Sequence, residues 1–427
     1  MTAQPHDRTL GRTPAGSTGP ALTAVPSPAA DTRITPGTPA RPASGLIDVP
    51  PGLAGVRAAD TAIGDVRGAE GFYHYRQYSA IDLALHRSLE DVWHLLFEGH
   101  LPTADELAVF RAQIDARRDV PAELAALLPA MATGGPGTGL LPRLRTALSM
   151  LGSLEDFQPV YGADPARRRD DAMRVAAITP TLLAALHRLR HGQQPLAPRP
   201  GLTAAGQWLY LLTGIEPDDR DPADVEAVDR YLVCTVDHGF NASTFTSRVV
   251  TSTGADVVAA VCAGIGAFTG PLHGGAPDRA LAALDEIGSP DRADAWVRAR
   301  VAAGERIMGF GHAVYRTDDP RAAMLRDLAC ARGGELADFA AQVEQTVLDV
   351  LAQIKPGRSL NTNVEYWAGV VMAQAGLAPE LFTPTFTVSR VIGWTANVLE
   401  QAADPKIIRP SARYVGPPAP QPVPPAA

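Results

Sequence analysis

A mainly α-helical fold is what this chain predicts, on three observations. Capping boxes open stretches of helical apolar spacing: Ser88-Leu89-Glu90-Asp91 leads into Val92, Leu95 and Leu96, and Thr103-Ala104-Asp105-Glu106 leads into Leu107, Phe110 and Ile114. Beyond a short β-like stretch near the start, helical patterning continues almost throughout. No run of alternating strand and helix units occurs, and no glycine-rich nucleotide fingerprint follows a strand, which argues against a Rossmann or P-loop architecture.

The elements follow in order. Residues 1–45 are rich in Pro, Thr, Ala and Gly with hardly any large apolar side chains, so they cannot offset their ordering entropy and are expected to be disordered. Between Gly52 and Tyr78 a small β segment is expected, with turn signals at Ile63-Gly64-Asp65 and Gly68-Ala69-Glu70-Gly71. Helices come next, with breaks expected at Pro142, Pro180, Gly201 and Gly254. The uncharged run Val257 to Leu272 is shorter than the ~20 residues of a membrane span and reads as a core helix. Phe382-Thr383-Pro384 reads as a helix start, with Thr383 as N-cap and Pro384 at the first helical position. In that helix Phe386, Val388, Val391, Ile392, Trp394, Val398 and Leu399 cover most of the circumference, the pattern of a helix buried on nearly all sides. Residues 417–427 form a Pro-rich tail expected to be disordered.

With 427 residues, 46% apolar and 20% charged, the chain has the composition of a soluble globular protein with a substantial core. A net charge of −8 argues against nucleic acid or an anionic membrane as the main partner. Cys234, Cys262 and Cys330 are scattered among apolar neighbours and are expected to be buried, reduced thiols. The first residues lack the apolar stretch of a secretory signal, so a cytoplasmic location is expected.

Three arginines stand in unusual settings. Arg390 falls between Phe386 and Trp394 on the buried helix, and an unpaired buried guanidinium is prohibitively costly, so it must meet a carboxylate of the protein or of a ligand. Asp318-Asp319-Pro320 announces a helix N-terminus, and Arg321 then places a cation where the helix dipole disfavours it. In Ile407-Ile408-Arg409-Pro410 the proline pushes Arg409 into an extended conformation. Together they suggest a small polycarboxylate ligand, because planar guanidinium forks suit carboxylates.

Three histidines lie in loops suited to ligands. His238 precedes Gly239-Phe240-Asn241, His273 sits in Gly270-Pro271-Leu272-His273-Gly274-Gly275, and His312 sits in Gly309-Phe310-Gly311-His312. The glycines let backbone and ligand approach closely. Pro277 can open a helix whose N-terminus keeps His273 neutral, as a donor to a carbonyl. His74, His86, His94, His100, His187 and His191 read as structural side chains. The spacings of His238, His273 and His312 match no common zinc pattern, so no metal is expected. Glu365, in Asn363-Val364-Glu365-Tyr366-Trp367, has apolar and aromatic neighbours, a setting that suits either a general base or a buried partner for an arginine.

The segments 237–248, 270–276, 309–316 and 381–401, in order and at the same spacing, resemble the citrate synthase family, and the resemblance runs from about residue 50 to 416. It implies a helical homodimer of two-domain subunits that binds oxaloacetate and an acyl-CoA and needs no cofactor, the acyl-CoA being a substrate. The large domain would comprise residues 46–274 and 378–416, and a small mobile domain residues 275–377. By position, His273 polarises the thioester carbonyl, Glu365 removes the α-proton and His312 polarises the oxaloacetate ketone. His238, Arg321 and Arg390 hold its carboxylates, joined by Arg409 from across the dimer, with Arg316 and Arg358 as the CoA contacts.

The sequence also departs from the family pattern. Glu365 replaces the usual aspartate, a proline is missing from Leu360-Asn361-Thr362-Asn363, and Ser411 stands where many relatives carry a basic residue. The expected activity is condensation of acetyl-CoA with oxaloacetate. The alternatives are 2-methylcitrate synthesis from propionyl-CoA or a longer acyl-CoA, and a catalytically weak paralogue that binds dicarboxylates or CoA.

Overall fold

The structure, a computed structural model, describes residues 46–135, 138–274, 277–312, 314–358 and 360–425. The disorder expected of residues 1–45 falls outside them. The chain divides into Met1–Val56, with a 3-10 turn at Pro51–Leu53, and Arg57–Ala427.

In the second unit, β1 (Gly64–Arg67), β2 (Phe72–Tyr75) and β3 (Tyr78–Ser79) form an antiparallel sheet in sequence order. The expected turn at Ile63-Gly64-Asp65 is instead the start of β1, where Gly64 pairs with Tyr75. A Cβ at Gly64 would lie 2.2 Å from the His74 carbonyl oxygen, so the glycine serves close strand approach rather than a turn. Gly71, at φ 62°, does shape the β1–β2 turn.

Sixteen α-helices follow among the described residues, so the fold is mainly α as expected. They are α1 (Ala80–His86), α2 (Leu89–Glu98), α3 (Ala104–Asp115), α4 (Ala122–Ala132), α5 (Leu140–Leu154), α6 (Pro165–Arg190), α7 (Ala204–Thr213) and α8 (Pro222–Thr235). The second half has α9 (Ala242–Ser252), α10 (Val257–Phe268), α11 (Pro277–Ile287), α12 (Ala293–Ala302), α13 (Pro320–Arg332), α14 (Glu335–Ile354), α15 (Val364–Gln374) and α16 (Phe382–Gln401). Both predicted capping boxes are present, Ser88 with Asp91 and Thr103 with Glu106.

Two sequence expectations fail for physical reasons. Pro180 does not interrupt α6: residues 175–186 are all buried, and packing on every side outweighs the ~3 kcal/mol that an interior proline costs. Thr383 does not cap α16, because the 3-10 turn Pro379–Leu381 runs straight into the helix and makes Leu381 the N-cap residue. Pro384 still lies in the first turn, where its missing N–H has no intrahelical partner to lose. The cysteines also differ, since only Cys234 is buried, Cys262 is partly exposed, and Cys330 is exposed on α13.

α16 runs through the core. A Cβ at Gly393 would sit 2.0 Å from the Val236 carbonyl oxygen, so glycine alone lets α16 press against the segment leading to His238. The sheet pins the same segment: Tyr73 donates to the Cys234 carbonyl at 2.9 Å, and Tyr75 to those of Val233 at 3.0 Å and Asp237 at 3.1 Å. The Val233 and Cys234 carbonyls lie in the last turn of α8, where intrahelical donors run out. No helix among the described residues is long and apolar enough to cross a membrane.

Candidate active site

A cavity of about 720 Å³ gathers His238, His273, His312, Arg321, Arg358, Glu365 and Arg390, seven of the nine residues singled out from the sequence. Arg316 and Arg409 do not line it. Arg316 is exposed, and its backbone N–H donates to the Gly68 carbonyl at 2.9 Å. Arg409 is exposed in a segment without helix or strand, held where the Ile408 N–H meets Ser252 Oγ at 3.0 Å.

His273 sits at a helix N-terminus, but that of α9 rather than the helix opened by Pro277. Its Nε2 accepts from the Ser243 backbone N–H at 3.2 Å and lies 2.8 Å from Ser243 Oγ, while Asn241 caps α9. An Nε2 that accepts from backbone places the ring proton on Nδ1. Burial, then the charge of Arg390, lowers the imidazole pKa to about 4, so the ring is neutral at pH 7.

His312 has the opposite tautomer. Its Nδ1 accepts from the N–H groups of Val314 at 2.9 Å and Tyr315 at 3.1 Å, which puts the proton on Nε2. Burial and the nearby Arg321 bring its pKa to about 4 as well. His238 Nε2 is 2.9 Å from the Tyr315 hydroxyl, and burial followed by Arg321, Arg390 and His312 pushes it well below the usual histidine range.

The cation in the first turn of α13 is compensated by the residue that caps the helix. Asp319, 2% exposed, takes Arg321 Nε at 3.0 Å and Nη2 at 2.8 Å in a two-pronged pair. The same carboxylate accepts from the Val364 N–H at 3.0 Å, which ties Arg321 to the start of α15. Arg390, 2% exposed, has no carboxylate within ion-pair distance among the described residues. Its Nε donates to the Thr235 carbonyl at 3.0 Å, and its guanidinium lies 4.7 Å from the Phe386 ring centre. Asp237 supplies the largest compensating charge, and burial raises that acid to about 6.

Glu365 is half-buried in the first turn of α15, where its N–H donates to the Asn363 side chain at 3.0 Å. The loop beneath it is laced to the His312 loop: Gly311 N–H to the Asn361 carbonyl at 2.7 Å, Asn363 N–H to the Gly309 carbonyl at 2.9 Å, and Asn363 Nδ2 to the Gly311 carbonyl at 2.9 Å. Gly309 and Gly311, at φ 85° and 84°, supply the left-handed backbone this pairing needs. Sequence reasoning missed Asp319 as an arginine holder, Tyr315 as the partner of His238, and the cations Arg306 and Lys355 that join Arg358 in lining the cavity. Asp319 was legible, standing two residues before Arg321. Arg306 and Lys355 carried no local signal.

A family model described as citrate synthase, C-terminal domain, matches residues 52–411. The chain is 35% identical over 374 residues to the citrate synthase of Deinococcus radiodurans, covering 87% of this chain and 97% of that protein. It is 37% identical over 400 residues to the 2-methylcitrate synthase of Mycobacterium tuberculosis, covering 93% and 97%. Among solved structures it is similar to the citrate synthase of Thermotoga maritima, with TM-score 0.76 and 30% identity over 88% of this chain and 98% of that one. It is also similar to the citrate synthase of Thermoplasma acidophilum in ternary complex with carboxymethyl coenzyme A and oxaloacetate, with TM-score 0.78 and 26% identity over 87% and 97%. The family match takes in most of the sequence and both relatives align along nearly all of it: the chain belongs to the citrate synthase family.

Proposed function

We propose that this acyltransferase of the citrate synthase type condenses acetyl-CoA with oxaloacetate and hydrolyses the citryl thioester to citrate and CoA. The observation that carries the reading is the meeting of three neutral histidines, two buried arginines and Glu365 around one cavity.

Each group has a role that its geometry suits. Glu365 takes a proton from the methyl group of the acetyl thioester, and His273 Nδ1–H hydrogen-bonds the carbonyl oxygen as negative charge develops there. The enol carbon then attacks the ketone carbon of oxaloacetate, whose oxygen is polarised by His312 Nε2–H. Arg321, Arg390 and His238 hold the oxaloacetate carboxylates, and a second copy of the chain supplies Arg409 to complete the site. Water attacks the citryl thioester and releases CoA. Arg306, Lys355 and Arg358 supply positive charge for the phosphates of CoA. Residues 275–377 act as a small domain that closes over the substrates and excludes water.

Glu365 has one methylene more than aspartate, roughly 1.5 Å of extra reach, which the placement of the α15 N-terminus has to absorb. Similarity to a 2-methylcitrate synthase supports propionyl-CoA as the second reading, and a methylene of pocket volume decides between them, worth ~1–3 kcal/mol. The test is oxaloacetate-dependent thiol release with acetyl-, propionyl- and butyryl-CoA. Fastest release with acetyl-CoA, lost in Glu365→Gln and retained in part in Glu365→Asp, is the expected result. Release with propionyl-CoA alone selects the second reading, and none with any thioester rejects both.

A further inference from the structure

His187 and His191 read from the sequence as structural histidines, and the structure places them in a cluster outside the catalytic cavity. They stand one turn apart at the end of α6, with ring centres 4.4 Å apart. Glu380, in the 3-10 turn Pro379–Leu381, reaches both: its Oε1 lies 3.3 Å from His187 Nδ1 and 3.2 Å from His191 Nε2. None of the three lines the catalytic cavity.

The hydrogen bonding around this cluster is incomplete. His191 Nδ1 lies 3.0 Å from the His187 carbonyl oxygen, and a carbonyl only accepts, so Nδ1 carries the proton of the neutral ring and the Nε2 lone pair of that form faces Glu380. His187 Nδ1 is enclosed and has no hydrogen-bond partner, although the carboxylate is close. Two ring nitrogens and a carboxylate oxygen, all within 4.8 Å of one another, therefore face one shared point. A proton can bridge only one pair at a time, whereas a cation can satisfy all three. Metal–ligand bonds of about 2.0–2.1 Å in a tetrahedron place donor atoms about 3.3 Å apart, the spacing two of the three pairs already have. The hydrogen bond from His191 Nδ1 to backbone is also the arrangement that orients metal-ligating imidazoles.

We propose that His187, His191 and Glu380 bind one divalent transition-metal ion of the zinc class, with water completing the coordination. Two imidazoles and a carboxylate form a donor set for such ions rather than for calcium or magnesium. The ion joins the end of α6 to the turn that opens α16, the helix carrying Arg390, so it braces the fold and takes no part in the condensation.

The test uses the untagged full chain, stripped of metal with a chelator and titrated with zinc chloride by calorimetry, then with cobalt(II) followed by visible absorption. His191 and Glu380 are 44% and 43% exposed, so His191→Ala and Glu380→Gln put folding at little risk. The expected result is one saturable ion per chain, with affinity at least about tenfold weaker in either variant, and with the tetrahedral cobalt spectrum lost in His191→Ala. Zinc should raise the thermal midpoint of the wild-type chain and not of His191→Ala, and thiol release should be the same in both. Absence of saturable binding overturns the proposal, as does binding whose affinity and cobalt spectrum are unchanged in both variants.

Discussion

Arg321 Nη2 lies 3.3 Å from His312 Nε2, and both nitrogens are donors. Nδ1 of His312 is occupied by two backbone N–H groups, so the ring proton is on Nε2, and a guanidinium has only protons to offer. Two donors do not bond to each other. Two neighbouring acceptors suit such a pair, and a ketone flanked by a carboxylate provides two.

Among the described residues Arg390 meets no protein carboxylate at ion-pair distance, so its charge is available to a ligand. Arg390→Leu should raise the oxaloacetate KM by about tenfold to a hundredfold, the ~1.5–3 kcal/mol of a charged hydrogen bond. The acyl-CoA KM should barely move. Steady-state kinetics with each substrate varied in turn would check this, and equal rises in both constants would refute the assignment.

Asp319 holds Arg321, caps α13 and receives the Val364 N–H, so its charge serves three elements at once. Burial alone would raise its pKa, but the charge and hydrogen bonds of Arg321 carry it below the usual 3.8. A depressed carboxylate adds stability that is present above the unfolded value and lost as pH falls through the folded one. Asp319→Asn strands a buried guanidinium and should cost about 3–5 kcal/mol in denaturant unfolding at neutral pH, with a smaller difference from wild type in acid.

The imidazoles of His273 and His312 titrate near 4, against 6.5 for an unperturbed ring. Because the folded value is lowered, the stability they contribute is complete above 6.5 and is lost as pH falls toward 4. Carbon-13 labelling of the histidine rings should show these two signals static from pH about 8 to about 5.5. Midpoints near 6.5 for either ring would contradict their role as neutral donors.

Gly393→Ala places a methyl against the Val236 carbonyl. Overpacking of this kind should cost about 1–3 kcal/mol in denaturant unfolding, and displacing the segment that carries His238 should raise the oxaloacetate KM.

Much of this was legible in the chain because the signals were local. Ser88 and Thr103 announced helix starts through residues three positions away, and the glycines beside His312 marked a loop where backbone and ligand can come close. What was missed depended on partners distant in sequence. His273 was expected at the N-terminus of the helix that follows it, yet it docks on α9 through Ser243, which no local pattern near residue 273 encodes. Pro180 looked like a helix break because its cost is local while the burial that outweighs it is tertiary. Arg306 and Lys355 line the cavity only because the 300–312 and 351–365 stretches fold together.

The proposed meeting of His312 with the ketone oxygen and of Arg321 with the adjoining carboxylate is tested most directly by the carbon-13 signal of oxaloacetate labelled at its ketone carbon. Bound to the wild-type protein, that signal should move downfield, because donors aimed at the oxygen draw electron density from the carbon, and in His312→Asn most of the displacement should vanish while the ligand still binds. An unshifted ketone signal in the wild-type complex, or the same shift in both proteins, would mean that these side chains do not meet at the substrate.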